Sequence, residues 1–242
     1  MIRKYLTFYF FTSKDKLFMY FSCIINNTTM NKLILFITFT LLASISCFSQ
    51  EDINFDKIED NSELKSKLIS KVESINNISC DFRLTYNDKL SGDKETSSGI
   101  YYSILPKQIK WEYKTPSEYS IVFNKKARPI IIDNNEINPY SISSDPNFKI
   151  LNQIIAQYFD TSIFDSNSYS TTYFKGTNLY LMRIIVSDSK SSNLIQSIEL
   201  RFNKIDYGLL GIKVNINNME IITLEFSQRF INNKSTKEEF NN

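Results

Sequence analysis

From Ile78 to Tyr86 the chain alternates strictly: Ile78, Cys80, Phe82, Leu84 and Tyr86 are interleaved with Ser79, Asp81, Arg83 and Thr85. A two-residue period predicts a strand with one apolar face and one wet face. The same period returns in 98–104, 109–113, 119–123 and 128–132, and again in 169–174, 179–186, 195–202, 209–216 and 220–226. Turn formers separate the runs, among them Pro106, Thr115-Pro116, Asn124-Lys125, Asp133-Asn134-Asn135 and Asp206-Tyr207-Gly208. Two stretches switch to helical spacing. Leu64, Leu68, Ile69, Val72 and Ile75 follow a capping-box-like start, Asp60-x-x-Glu63. Phe148, Leu151, Ile154, Ile155, Tyr158 and Phe159 follow Ser144-Asp145-Pro146, where Asp145 can cap and Pro146 suits the first turn.

Geometry then constrains the fold. About ten strands at ~4.8 Å make a sheet roughly 50 Å across, and two helices at ~8–10 Å cover less than half of it. A sheet left under-covered can curl until its apolar face encloses the remainder. The expected fold is therefore mainly β with helices (α+β): a single curled antiparallel sheet forming an unclosed β-barrel, covered by a few α-helices, with an apolar interior. The alternative is a self-packed core filled by Tyr and Phe. No linker or internal repeat divides the pattern, so one domain is expected.

The N-terminus reads differently. Met30-Asn31-Lys32 is a short positive segment, Leu33 to Leu42 an apolar run, and Ala43 to Gln50 a small-residue stretch suited to cleavage. Residues 30–49 are thus expected to be an export signal, 1–29 an upstream extension, and 50–242 the mature domain beginning at Gln50. A membrane anchor is the alternative, although the apolar run is shorter than the ~20 residues that span a bilayer. A lipid on Cys47 is another, with Ser44 standing where a lipobox has a large aliphatic residue.

Removing residues 1–49 takes five basic residues and one acid from totals of 28 and 26, leaving 23 and 25, formally −2. The basicity of the whole chain disappears, and with it any basic stripe for nucleic acid. Histidine is absent, which excludes imidazole-based triads and relays and His-ligated zinc. Five scattered glycines cannot build a phosphate-cradling loop. Cys80 is the lone cysteine of the mature chain, at an apolar strand position that predicts a buried, unreactive thiol. Any catalysis would rest on carboxylates, with Glu112 and Asp133 as the candidate pair. No enzyme, cofactor or metal site is expected.

The order of helix and Cys80-Asp81-Phe82-Arg83-Leu84-Thr85 strand, then Gly99-Ile100-Tyr101-Tyr102, Leu105-Pro106-Lys107-Gln108-Ile109-Lys110-Trp111-Glu112-Tyr113 and Thr115-Pro116-Ser117-Glu118-Tyr119, resembles the periplasmic outer-membrane lipoprotein carrier family, LolA. Ile154-Ile155, Ile198-Glu199-Leu200-Arg201-Phe202 and Glu225-Phe226 extend the likeness, which runs from about Asp60 to Phe240. The spacing Pro106–Trp111–Pro116 is its most specific part. The resemblance implies a LolA/LolB-like half-barrel with a helical lid over an apolar cavity for the acyl chains of lipoproteins. Ile109, Trp111 and Ile121 would line that cavity, joined by Phe82, Leu84, Tyr102, Tyr113, Phe123 and Ile155. It also implies a periplasmic monomer, taking acylated lipoproteins from an inner-membrane lipoprotein-releasing ABC transporter to an outer-membrane acceptor. An anchored acceptor or a lipid-sensing periplasmic regulator on the same fold is the alternative. One departure stands out: the family commonly has an arginine before the proline that matches Pro106, where it helps hold the lid shut, and this chain has Leu105. Lys107 or Arg83 is the candidate replacement. Asn124-Lys125 also stands where an Asp-Gly turn is common, a mild change because Asn tolerates a left-handed backbone.

Overall fold

The computed structural model describes residues 10–13, 16–19, 55–106, 108–124, 128–141, 145–165, 169–186, 195–217, 219–234, 236 and 240. The expected signal segment 30–49, Cys47, Lys107 and Lys125 lie outside them. The described residues fall into two units, divided between Asp52 and Ile53. In the first, β1 (Phe10–Ser13) and β2 (Lys16–Met19) pair as an antiparallel hairpin.

In the second unit the alternating runs become strands. In chain order they are β3 (Asp56–Ile58), β4 (Asn77–Asp88), β5 (Lys94–Ile104), β6 (Gln108–Thr115), β7 (Tyr119–Asn124), β8 (Ile130–Asp133), β9 (Glu136–Pro139), β10 (Tyr169–Lys175), β11 (Leu179–Val186), β12 (Ile195–Asn203), β13 (Leu209–Ile216) and β14 (Glu220–Ile231). Among the described residues they form one antiparallel sheet in the order β3-β10-β11-β12-β13-β14-β4-β5-β6-β7-β8-β9, whose two edges do not pair. It is an unclosed barrel. The two strands absent from the periodicity, β3 and β9, are these edges. Each is only three or four residues long and has no buried residue to mark an inner face. Between β8 and β9, Asn134 and Asn135 both have positive φ, as a tight two-residue hairpin requires.

Two helices enter the concave side. Helix α1 (Ser62–Glu73) links edge strand β3 to central strand β4 and buries Leu64, Leu68 and Val72. Its cap is Asn61 rather than Asp60. The Asp60 carboxylate instead accepts from the backbone N–H and the hydroxyl of Ser62, which holds its pKa below the usual value. Glu63 pairs with Lys67 one turn along. Helix α2 (Pro146–Phe159) starts as its sequence predicts, with Asp145 Oδ1 accepting from Phe148 N–H at 2.9 Å and Pro146 in the first turn. Its placement follows from connectivity: the chain leaves the sheet at one edge, β9, and re-enters as β10 beside the other. The connection therefore crosses the concave face and carries α2 over it.

Candidate functional site

The strand period sorts the residues. Cys80, Phe82 and Leu84 of β4 pair laterally with Tyr101 and Gly99 of β5, and with Phe226 and Leu224 of β14, on the inner face. Trp111 and Tyr113 of β6 and Ile121 of β7 continue it. Across this wall lies the apolar stripe of α2, Phe148, Leu151, Ile154, Ile155 and Tyr158, all buried. Trp111 is the centre, fully buried, with the rings of Phe82, Tyr101 and Phe148 edge-on at 5.0, 4.8 and 5.6 Å between centroids. Edge-to-face contacts of this kind add about 0.5–1.5 kcal/mol each beyond burial.

The Trp111 indole N–H donates to Asn152 Oδ1 at 3.2 Å, and the Asn152 amide donates back to the Phe148 carbonyl at 2.9 Å. This hydrogen bond ties α2 to the wall of the half-barrel. Asn152→Ala leaves a buried donor unpaired, at about 1–3 kcal/mol. Because Trp111 is the chain's one tryptophan, the loosening is expected as a red-shifted, more quenchable intrinsic emission. Emission indistinguishable from the parent protein would show that the bond does not hold the helix.

Among the described residues, two spaces lie along the inner face. At one end a cleft of about 420 Å³ opens to solvent among Leu84, Tyr86, Tyr113, Tyr119 and Asp145. The Tyr113 and Tyr119 rings stack there at 4.5 Å. At the other end, under Tyr158 and Phe159 of α2, a slot of about 20 Å³ has room for one water-sized molecule. Phe82, Trp111 and Phe148 separate the two. Ligand pockets of about 300–1,000 Å³ are usual, so the cleft meets that scale and the slot is closed.

The sequence-derived residues distribute accordingly. Phe82, Leu84, Trp111, Tyr113 and Ile121 are buried on the inner face, and Ile155 is buried on α2 in the same cluster. Ile109 and Phe123 are half-buried at its margin, with Phe123 6.0 Å from Phe148. Together these residues form a packed core, and of them only Leu84 and Tyr113 reach the open cleft. Tyr102 is a correction. Tyr101 takes the inward position opposite Cys80 and Trp111, so Tyr102 points outward, opposite Ser79 and Lys110, with the Lys110 ammonium 5.5 Å from its ring centre. Two adjacent tyrosines cannot share a face, and strict alternation does not say which is inside.

The other candidates also have places. Glu112 lies on the outer face between Lys110 and Lys114. Burial works to raise its pKa, but hydrogen bonds and charge from the two lysines outweigh it and keep the carboxyl below its ordinary range. Asp133 sits exposed at the β8–β9 turn. Arg83 is also outward, opposite Glu225, so it cannot reach the helices, and Leu105 packs half-buried against the core. Cys80 is buried, and desolvation drives its thiol far above the ordinary value despite the opposing charge of Arg229. The folded protein is expected to resist a thiol reagent even at pH 9 and to react stoichiometrically in denaturant. Rapid native labelling would contradict this register.

Periodicity did not reveal Arg229. At the Ser227/Phe230 irregularity of β14, Gln228 adopts φ 46° and one extra residue enters the strand. Arg229 is thereby turned inward, to the wall of the slot. An unbulged strand would have put it outside.

A curled, open antiparallel sheet with an apolar concave face closed by helices defines a class of half-barrel proteins built around an interior rather than a surface site. Within that class, residues 73–242 match the family model described as outer membrane lipoprotein carrier protein LolA, and the chain belongs to that family. No curated protein matches it. Among solved structures it is similar to a LolA superfamily protein from Nitrosomonas europaea, at 9% identity over 70% of this chain and 94% of that one, TM-score 0.38. A putative outer membrane lipoprotein-sorting protein domain from Vibrio parahaemolyticus is similar at 9% identity, 74% and 95% coverage and TM-score 0.38. A chain of the Pseudomonas aeruginosa MucA/MucB complex shows 11% identity, 71% and 58% coverage and TM-score 0.42.

Proposed function

We propose that this protein is a periplasmic carrier that shields the acyl chains of lipoproteins along its inner face and moves them from the inner to the outer membrane. Family membership supports a lipoprotein-binding, carrier-type role. The observation that carries the finer reading is the way α2 closes the inner face, by apolar burial and few polar ties. Its five buried side chains, at ~1.5–3 kcal/mol each, represent on the order of 7–15 kcal/mol of burial. One sixteen-carbon acyl chain, at ~0.8 kcal/mol per CH₂, represents about 12 kcal/mol. Helix burial and cargo burial are thus of the same order, so cargo can take the place of the Phe148 end of α2 on the wall at modest net cost, as loading and unloading both require.

The length fits as well. Ile78 to Tyr86 is eight residue steps along β4, ~27 Å at 3.4 Å per residue. Half of a ~30 Å bilayer core, the depth one acyl chain occupies, is ~15 Å. With Phe148 lifted from Trp111, slot and cleft join into a trough longer than the chain. On this reading the donor is an inner-membrane lipoprotein-releasing ABC transporter and the recipient an outer-membrane acceptor.

Native mass spectrometry of protein taken from the periplasm tests the proposal. Acylated cargo is expected on a chain starting at Gln50, and adding a fatty-acyl probe to stripped protein should change Trp111 emission. Unliganded protein whose emission no acyl probe alters would overturn the carrier reading. A diacylglycerol-modified Cys47 would move it to an anchored acceptor.

A further inference from the structure

The slot at the closed end of the inner face is apolar except for three side chains. Tyr101 and Tyr158, each 1% exposed and with a buried, unpaired hydroxyl, line it together with Arg229. Tyr101 Oη lies near Ser103 and Tyr158 Oη near the Leu209 backbone, yet neither makes a hydrogen bond of acceptable geometry. Arg229 is committed: Nη2 donates to both Asp206 carboxylate oxygens at 3.2 and 3.3 Å, and Nη1 to the Leu209 carbonyl at 3.2 Å. The fit is built in, because a Cβ at Gly208 would come within 2.1 Å of Nη1.

We propose that this slot binds the carbonyl at the head of an ester- or amide-linked acyl chain, with the Tyr101 and Tyr158 hydroxyls as donors, and discriminates against a free carboxylate. The assignment rests on the carrier reading and adds to it which end of the cargo lies where. Unpaired buried donors cost free energy that an acceptor oxygen recovers. Burial holds both phenols well above their ordinary pKa, so they stay protonated and able to donate. The Arg229–Asp206 pair is neutral overall. A carboxylate arriving beside it would be a third charge without a free counter-ion, in a desolvated place and next to Asp206. A carbonyl brings no charge and needs donors alone. Its chain then runs toward Trp111, with α2 lifting at its Phe148 end while the Tyr158 end stays seated and keeps its donor at the slot.

The test uses two fluorescent probes of one chain length, cis-parinaric acid and its methyl ester, at pH 8, with the mature protein. The ester is expected to bind at least about tenfold more tightly. Tyr158→Phe and Tyr101→Phe should each weaken the ester by about three- to tenfold, as loss of one hydrogen bond does, and leave the acid unchanged. Asp206→Asn, which keeps the acceptor for Gly208 N–H but frees the guanidinium charge, should tighten the acid and erase the preference. Thermal melts accompany each variant, and the phenylalanine variants preserve shape. Binding of both probes with equal affinity, unmoved by any variant, would overturn this assignment and leave the carrier reading standing. Failure of both probes to bind the parent protein would overturn both readings.

Discussion

Gly99→Ala is expected to abolish the native fold or shift its melting temperature down by roughly 10 °C or more, although it adds one methyl group. Gly99 lies at an irregularity where β5 passes β6, and a Cβ there would stand 1.9 Å from the Glu112 carbonyl oxygen and 2.9 Å from Tyr113 Cα. The neighbour is backbone on both sides, so no rotamer change relieves the clash. Strands β5 and β6 would have to part, withdrawing Trp111 and Tyr113 from Phe82. A cost above about 4–5 kcal/mol is the scale of such overpacking combined with lost core contacts. At roughly 2–4 °C per kcal/mol for a domain of this size, the shift follows. Gly92, with nothing within 4 Å of its Cβ position but φ 80°, is the comparison: Gly92→Ala should cost only the local strain of about 1–2 kcal/mol. Equal melting of the two variants would count against the close approach at Gly99.

Trp111→Glu should abolish acyl uptake and lower the melting temperature by roughly 10 °C or more. Truncating a buried Trp alone costs about 3–5 kcal/mol, and the new carboxylate would face Phe82, Tyr101 and Phe148 with Asn152 as its polar neighbour. An ionised group there is costly unless paired. The relief open to a carrier is to lift α2 and let water reach the charge, so the sheet should keep its far-ultraviolet circular dichroism while α2 becomes protease-sensitive. Ile121→Glu, on the same face, should behave alike. Ile69 and Val72 of α1, changed to Ser, should leave the barrel folded and alter the rate of probe entry. Collapse of the sheet in all of these would show that the helices are permanent core, and the lid reading would fall.

Much of this was legible in the residues. The alternation of Ile78–Tyr86 and its repeats specified most of the strands, the helical spacing of 64–75 and 148–159 specified both helices, and Asp145-Pro146 marked where α2 begins. Periodicity works there because a strand with one buried face must repeat every second residue. It fails where that pressure is absent. The edge strands β3 and β9 bury no inward side chain, so their residues follow no pattern. The Tyr101-Tyr102 pair is apolar at both phases, and the face each takes is set by pairing with Cys80 and Trp111 across neighbouring strands.

The candidate site divides along the same line. Local sequence is sufficient for an apolar inner wall and an amphipathic helix, since each follows from spacing within about a dozen residues. That α2 crosses this wall depends on which strands are edges, a property of all the pairings together. The Trp111–Asn152 bond joins residues 41 apart and the Arg229–Asp206 pair residues 23 apart. Arg229 faces inward only because one extra residue enters β14 at Gln228. Spacing along a chain fixes which residues share a face; distances between faces, and the turn of a strand at a bulge, arise only when the strands are assembled.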